Sequence, residues 1–480
     1  MKKRLVASVL LVVMLVSLLA ACGETTPADT TGTPNNGEQQ VSTNFTVPEG
    51  GYDGSAVTIT FYNTMGTNLA PVLADYIEVF NEKYPNITVN SVNVGGYDDC
   101  RDQISTELTV GNQPNIAYCY PDHVALYNLA RAVTQLDSLI ESEEVVTLAD
   151  GTTEILGLTD EQKADFIEGY YNEGKQFGDG LMYTMPLSKS TEVLYYNKTF
   201  FDENNLTVPT TWDELKALCA QIKAIDPKSI PLGYDSEANW FINMTEQYGS
   251  PYTSATGDHF VFNNEQNRAF VKMFNEWYNS GYVTTQTLLG SYTSEMFKAG
   301  TSYMSIGSSA GASHQRPSKD AEGNYPFEVG IASIPQVDAN NPKVISQGPS
   351  LCIFQKENPQ EVIASWLFVK FLTTCVEFQA EFSIASGYVP VLKSVGEHPV
   401  YAEFIANADG GDNVTALSAQ QCLAQEKAYY TSPAFNGSSE ARDQAKALMV
   451  KCLVLKGDDV DAQIATAFEE AVEECEYAAG

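Results

Sequence analysis

The chain has 480 residues, 44% of them apolar, and a formal charge of −34 from 61 acidic and 27 basic side chains. A negative field of that size repels nucleic acid and anionic lipid headgroups, which excludes a nucleic-acid partner. Four scattered histidines form no HExxH pattern, and the eight cysteines after residue 22 match no zinc framework, so neither a metal nor a cofactor is expected.

At the N-terminus Lys2, Lys3 and Arg4 precede an apolar run from Leu5 to about Leu19, followed by Ala20, Ala21 and Cys22. A basic, then apolar, then small-residue order marks a secretory signal over residues 1–21. Its apolar run of about 15 residues falls short of the ~20 that a spanning helix needs. The Leu-Ala-Ala-Cys junction resembles a bacterial lipobox. That implies that Cys22 carries a diacylglycerol and anchors the chain to the outer face of the cytoplasmic membrane. Loss of the three basic residues with the signal takes the charge from −34 to −37. Residues 22–55 are rich in Thr, Pro, Gly, Asn and Glu and cannot bury enough surface to offset their ordering entropy; they are predicted to be a disordered tether. The remaining ~425 residues are too many for one core and suit two lobes.

Within that body Val57, Ile59 and Phe61 alternate with threonines as a strand. Leu69, Val72, Leu73, Tyr76, Ile77, Phe80 and Tyr84 follow at helical spacing up to Pro85. Ile87, Val89 and Val92 give a second strand, residues 98–110 a helix and residues 115–119 a buried strand. Such alternation specifies an open α/β sheet with parallel members, whose ligands sit at the carboxyl ends of the strands. Tyr62 and Tyr120 fall on that rim. Cys100 and Cys119, at the ends of a helix and a strand, are the best-placed disulfide pair in a compartment that permits one; buried free thiols are expected for most of the others. A second α/β region starts near residue 190. There Thr211 and Glu214 form a capping box, and Leu215, Leu218, Cys219, Ile222 and Ile225 make one apolar face. Asn358, Pro359 and Glu361 open another helix, and the last ~60 residues read as helical.

The segment DGLMYTMPLSKSTEVLYYNKT at 179–199, TTWDEL at 210–215 and MFKAGTSYMSIGSS at 296–309 resemble the family 1 extracellular solute-binding proteins of ABC importers. EVGIASIPQ at 328–336, GPSLCIF at 348–354, FVKFLTT at 368–374 and SGYVPV at 386–391 follow in the family's order. The resemblance implies an α/β, two-lobed periplasmic-binding-protein-like fold, each lobe an open, mostly parallel sheet flanked by helices. Hinge crossings are expected near 185–190, 333–336 and 386–388. An N-terminal lobe of 56–186 plus 335–386 and a C-terminal lobe of 187–334 plus 387–480 follow from those crossings. It also implies a monomer that captures a small solute and delivers it to membrane permease subunits.

A sugar offers hydroxyls and apolar C–H faces, so its site needs aromatic rings and short polar side chains. On that chemistry and on the resemblance, Tyr62, Tyr97, Tyr120, Asp122, Ser190, Trp240, Ser309, Gly348 and Tyr388 are the expected ligand contacts, with Lys189 the nearest cation. The glycerol-phosphate-binding members are the alternative within the class. They carry Tyr-Glu where this chain has Tyr120-Pro121, and an arginine where it has Ser432-Pro433-Ala434, which favours a neutral carbohydrate. From another class, a secreted sugar-processing enzyme would need two carboxylates across a cleft. Gly307-Ser308-Ser309-Ala310-Gly311 satisfies the G-x-S-x-G pattern, but residues 311–317 are a poor helix start for a nucleophile elbow. No catalytic residue is assigned.

Overall fold

The computed structural model describes residues 44–480; the expected signal, Cys22 and the tether up to residue 43 lie outside the described residues. The first sheet is built from β1 (Val57–Asn63), α1 (Ala70–Lys83), β2 (Ile87–Asn93), α2 (Tyr97–Leu108), β3 (Ile116–Cys119) and α3 (Pro121–Asn128). After a small hairpin of β4 (Val145–Thr147) and β5 (Thr153–Ile155), the edge strand β6 (Met185–Pro186) joins it. β1 pairs in parallel with β2, from Val57↔Ile87 to Asn63↔Asn93, and with β3 on its other side. Pro71 presets the first turn of α1, and Leu73, Tyr76 and Phe80 form its buried face.

The second sheet comprises β7 (Ser190–Asn197), β8 (Leu232–Tyr234), β9 (Val283–Thr285), β10 (Met304–Ser308), β11 (Val329–Ser333) and β12 (Val344–Gln347). Between its strands run α4 (Trp212–Ile225), α5 (Glu237–Gln247) and α6 (Glu265–Asn279). β8 is parallel to β9 and β10, whereas β7 is antiparallel to β10, β11 and β12. β7 arrives straight from the first lobe and not through a crossover helix, so it is free to run against its neighbours. The predicted capping box closes on α4: Thr211 Oγ1 accepts from the Glu214 N–H, and Glu214 accepts from the Thr211 N–H. Ile225, expected on the apolar face, is instead 46% exposed at the helix end.

The chain then returns. β13 (Ser350–Ile353) inserts antiparallel between β3 and β6, with Ser350 opposite both Cys119 and Pro186. α7 (Pro359–Thr374), α8 (Val376–Ser386) and α9 (Pro399–Ala406) complete the first core, where Phe368 meets Phe61 at 6.0 Å and Phe80 at 5.0 Å. α10 (Val414–Ala424) packs on β7 and β11. β14 (Tyr429–Tyr430) extends the second sheet beside β12, and α11 (Ser438–Leu453) and α12 (Val460–Ala479) lie against α5 and α6.

Two expected crossings move. Ile334 lies in the second core and Gln336 bridges Thr211, so residues 333–336 stay in the second lobe; the chain crosses at Gly348-Pro349, between β12 and β13. Past Ser386, Val389, Val391 and Leu392 still pack in the first core, and the chain passes to the second lobe with α10, which lies on β7 and β11 while its Ala419 and Cys422 still belong to the first core. Residues 44–55, expected in the tether, lie on the first lobe. Phe45, Val47 and Tyr52 pack against its core, and Ser138 Oγ donates to the Phe45 carbonyl at 2.6 Å. Three large apolar residues within a polar stretch are enough to dock it. Cys100 and Cys119 are free; their thiols face the carbonyls of Tyr118 and Ser350. No described helix is long and apolar enough to cross a membrane.

Candidate functional site

A cleft of about 870 Å³ separates the two sheets at the carboxyl ends of β3, β8 and β10. The first lobe gives it a wall of tyrosines. Gly95, at φ +98°, turns the chain into α2. The Gly96 N–H is held by Asp99 at 2.8 Å, setting Tyr97 at the first helical position. Tyr120 closes β3 at the N-cap of α3, and its ring stacks on Tyr97 at 4.5 Å and 17°. The Tyr97 hydroxyl pairs with that of Tyr388, which follows the left-handed Gly387 at the end of α8. Burial pushes all three phenols up, so they stay neutral donors. Asp122 sits in the first turn of α3, and burial lowers His123 beside it, keeping that ring neutral.

The second lobe supplies a polar floor. Ser190 and Glu192, two residues apart on β7, share one face. Glu192 is fully buried. Its carboxylate accepts from the Tyr234 hydroxyl, from Asn243 Nδ2 at 2.7 Å and from Asn239 Nδ2 at 3.1 Å. Burial outweighs those donors and the field of Arg442, and the carboxyl is pushed up to about 7. Arg442, on α11, donates to Asn239 Oδ1 at 2.5 Å, and its guanidinium lies 5.9 Å from the Tyr120 ring. Tyr292, 61% exposed, lines the cleft from the second lobe. Asp235, at the end of β8, accepts from the Thr293 N–H at 2.7 Å. At the mouth Arg101, on α2, reaches α11 across the gap, 3.3 Å from both Ser439 Oγ and Asp443 Oδ2.

Of the residues singled out from sequence, Tyr97, Tyr120, Asp122, Ser190 and Tyr388 line the cleft. Tyr62 does not; its hydroxyl donates to Glu107 on the outer side of α2, 3.0 Å away. Trp240 is a core residue, fully buried and stacked on Tyr234 at 4.7 Å with Phe274 at 4.3 Å. Its neighbour Asn239 takes the cleft position, because consecutive helical residues point ~100° apart. Ser309 is also fully buried, accepting the Thr191 N–H at 3.1 Å, so the G-x-S-x-G serine presents no hydroxyl to the cleft. Gly348 belongs to the crossing: at φ +107°, a Cβ there would stand 2.4 Å from the Ser188 carbonyl oxygen. Lys189 is not a cleft cation either; its Nζ is buried 2.7 Å from Glu173 and 3.1 Å from Ser350 Oγ.

Sequence reasoning missed Glu192, Asn239, Arg442 and Tyr292. Glu192 was within reach, since a strand residue two beyond Ser190 shares its face.

A model of bacterial extracellular solute-binding proteins matches residues 75–409. The sn-glycerol-3-phosphate-binding periplasmic protein UgpB of Shigella flexneri is 24% identical over 381 residues, covering 75% of this chain and 80% of the relative. Among solved structures, UgpB from Mycobacterium tuberculosis in complex with glycerophosphocholine superposes with a TM-score of 0.70 at 17% identity, over 88% of this chain and 99% of that one. The cyclic alpha-maltosyl-1,6-maltose binding protein from Arthrobacter globiformis gives 0.66 at 20%, over 88% and 99%. At these identities the structural likeness establishes the two-lobed fold.

Proposed function

The chain belongs to the bacterial extracellular solute-binding protein family, and from that premise we propose that it captures a neutral sugar or oligosaccharide between its lobes for an ABC importer. The observation that carries this reading is the pairing of the Tyr97–Tyr120–Tyr388 wall with a floor of Ser190, Glu192 and Asn239. Flat rings suit the C–H faces of a pyranose, and an acceptor-rich floor suits its hydroxyls.

Glycerol phosphate, bound by UgpB, is the second reading. The cleft has seven carboxylate-bearing residues against Arg101, Arg442 and Lys446. Arg101 is engaged by Asp98, Asp102 and Asp443, and Arg442 by Asn239 and Tyr120. A phosphate needs convergent donors in a positive field, and this balance opposes one.

No bond is made or broken in this scheme. Solute stabilises the closed form by its differential affinity for that form, and the closed form docks on the permease. The protein acts as a monomer, held at the membrane by a lipid on Cys22. Thermal-shift and calorimetric titration with maltotriose, cellotriose, sn-glycerol-3-phosphate and glycerophosphocholine test the reading. Saturable binding of a sugar, about −8 kcal/mol for a micromolar constant, supports it. Binding confined to the two phosphates would overturn the carbohydrate assignment, and product release from a sugar would overturn the receptor assignment.

A further inference from the structure

Adjoining the cleft is a second, smaller chamber of about 50 Å³ between the lobes, which shares Tyr120, Asp122, Gln347 and Arg442 with it. Among the polar atoms of its lining residues buried without a hydrogen-bond partner are Asp122 Oδ2, Glu173 Oε2, Tyr252 OH, Thr253 Oγ1 and Ser346 Oγ. Glu173 and Tyr252 are 3% exposed and Ser346 9%. Buried polar groups are hydrogen-bonded almost without exception, to protein, water or ligand. Orphans contributed by separate segments of one lining therefore mark a space shaped for a hydrogen-bonding guest. They also come from both lobes: Asp122 and Glu173 from the first, Tyr252, Thr253 and Ser346 from the second.

The wall chemistry defines that guest. Asp122 and Glu173 accept hydrogen bonds, while the tyrosine, threonine and serine hydroxyls both donate and accept. Charge in the walls is balanced, since Arg442 faces the chamber and Lys189 holds the other oxygen of Glu173 at 2.7 Å. An anion would meet two carboxylates and a cation would meet Arg442. A neutral hydroxyl can donate to a carboxylate and accept from a neighbouring hydroxyl at the same time. At roughly 10–15 Å³ per water-sized group, the space takes a short hydroxylated branch and not a second sugar ring.

We propose that this chamber is a separate subsite that receives the exocyclic hydroxymethyl group of a sugar whose ring lies against the tyrosine wall. The proposal rests on the carbohydrate reading of the cleft. A hydroxyl in the chamber bonds to both lobes at once, so occupancy favours the closed form.

Two pairs test it by calorimetric titration of the intact protein: cellotriose against xylotriose, which lacks the hydroxymethyl on every ring, and maltotriose against its 6-deoxy analogue, which keeps the carbon and lacks the hydroxyl. The hydroxymethyl-bearing member should bind at least about tenfold more tightly, the discrimination expected of a site built to pair a substrate hydroxyl. In Ser346→Val, which fills the chamber, and in the milder Tyr252→Phe, that ratio should fall toward one. Equal affinities within each pair in the wild type, or an unchanged ratio in both variants, would overturn the subsite, as would a crystal structure of the cellotriose or maltotriose complex with only water in the chamber. Absence of binding by all four sugars would overturn the carbohydrate reading itself, and the subsite with it.

Discussion

Glu192 offers a quantitative check on the floor of the cleft. Its carboxyl stands at about 7 against an ordinary 4.5, chiefly because it is buried, with the Tyr234 and Asn239 donors and Arg442 offsetting only part of that. At about 1.4 kcal/mol per pH unit, the gap corresponds to about 3 kcal/mol. The sign follows from the unfolded chain, which releases this proton near 4.5 while the folded chain keeps it to about 7. The contribution of Glu192 to stability is therefore fully present below pH 4.5 and is lost as pH rises toward 7. Glu192→Gln cannot ionise. Its stability relative to wild type should be flat and slightly negative at low pH, since the amide NH₂ meets the NH₂ donors of Asn239 or Asn243. It should then gain up to about 3 kcal/mol by neutral pH and level off above it. Comparing the two proteins cancels the titration of the other acidic residues. Urea denaturation at about unit steps between pH ~4 and ~8 measures the difference. A difference independent of pH, or one that moves in favour of wild type as pH rises, would refute the burial argument.

Trp240→Ala should destabilise the second lobe by about 3–5 kcal/mol, because it empties a space closed by Tyr234 and Phe274; a loss below about 1 kcal/mol in denaturant titration would contradict that packing. Arg101→Ala removes the bridge from α2 to α11. With Asp443 half exposed, the bridge is worth ~0.2–1 kcal/mol, so the ligand-free closed-to-open ratio should fall by about 1.4- to 5-fold. Fluorescence transfer between dyes on the two lobes reads this directly, and an unchanged distance distribution would show that Arg101 does not hold the lobes together.

The first sheet was legible because its signals are local. The alternation of Val57, Ile59 and Phe61, the spacing of Leu73, Tyr76 and Phe80, and the turn into Tyr97 each lie within a few residues. The crossing at Gly348-Pro349 was hidden because residues 348–354 read as one apolar segment, yet the chain changes sheets within it. Trp240 misled for a geometric reason. Its helix is buried on every side from Glu237 to Thr245, so residue type could not say which flank faces the cleft. β7 is buried along nearly its whole length, which erased the alternation that would have set Glu192 apart. Arg442 is 203 residues from the Asn239 it bonds, and no spacing rule joins them.

The place of β13 also governs how this chain comes into being. Ser350 pairs with Cys119, 231 residues earlier, in the middle of the first sheet. At ~5–20 residues per second a ribosome takes about 10–50 s to make the intervening stretch. For all that time the buried strand Ile116–Cys119 presents an unpaired edge, a template for pairing with other chains. The N-terminal lobe is thus begun first but completed only after nearly all of its partner sheet has been synthesised. A nascent chain halted anywhere before residue 350 holds neither a finished first sheet nor a closed cleft, and its safe passage depends on being kept from its neighbours until that strand arrives.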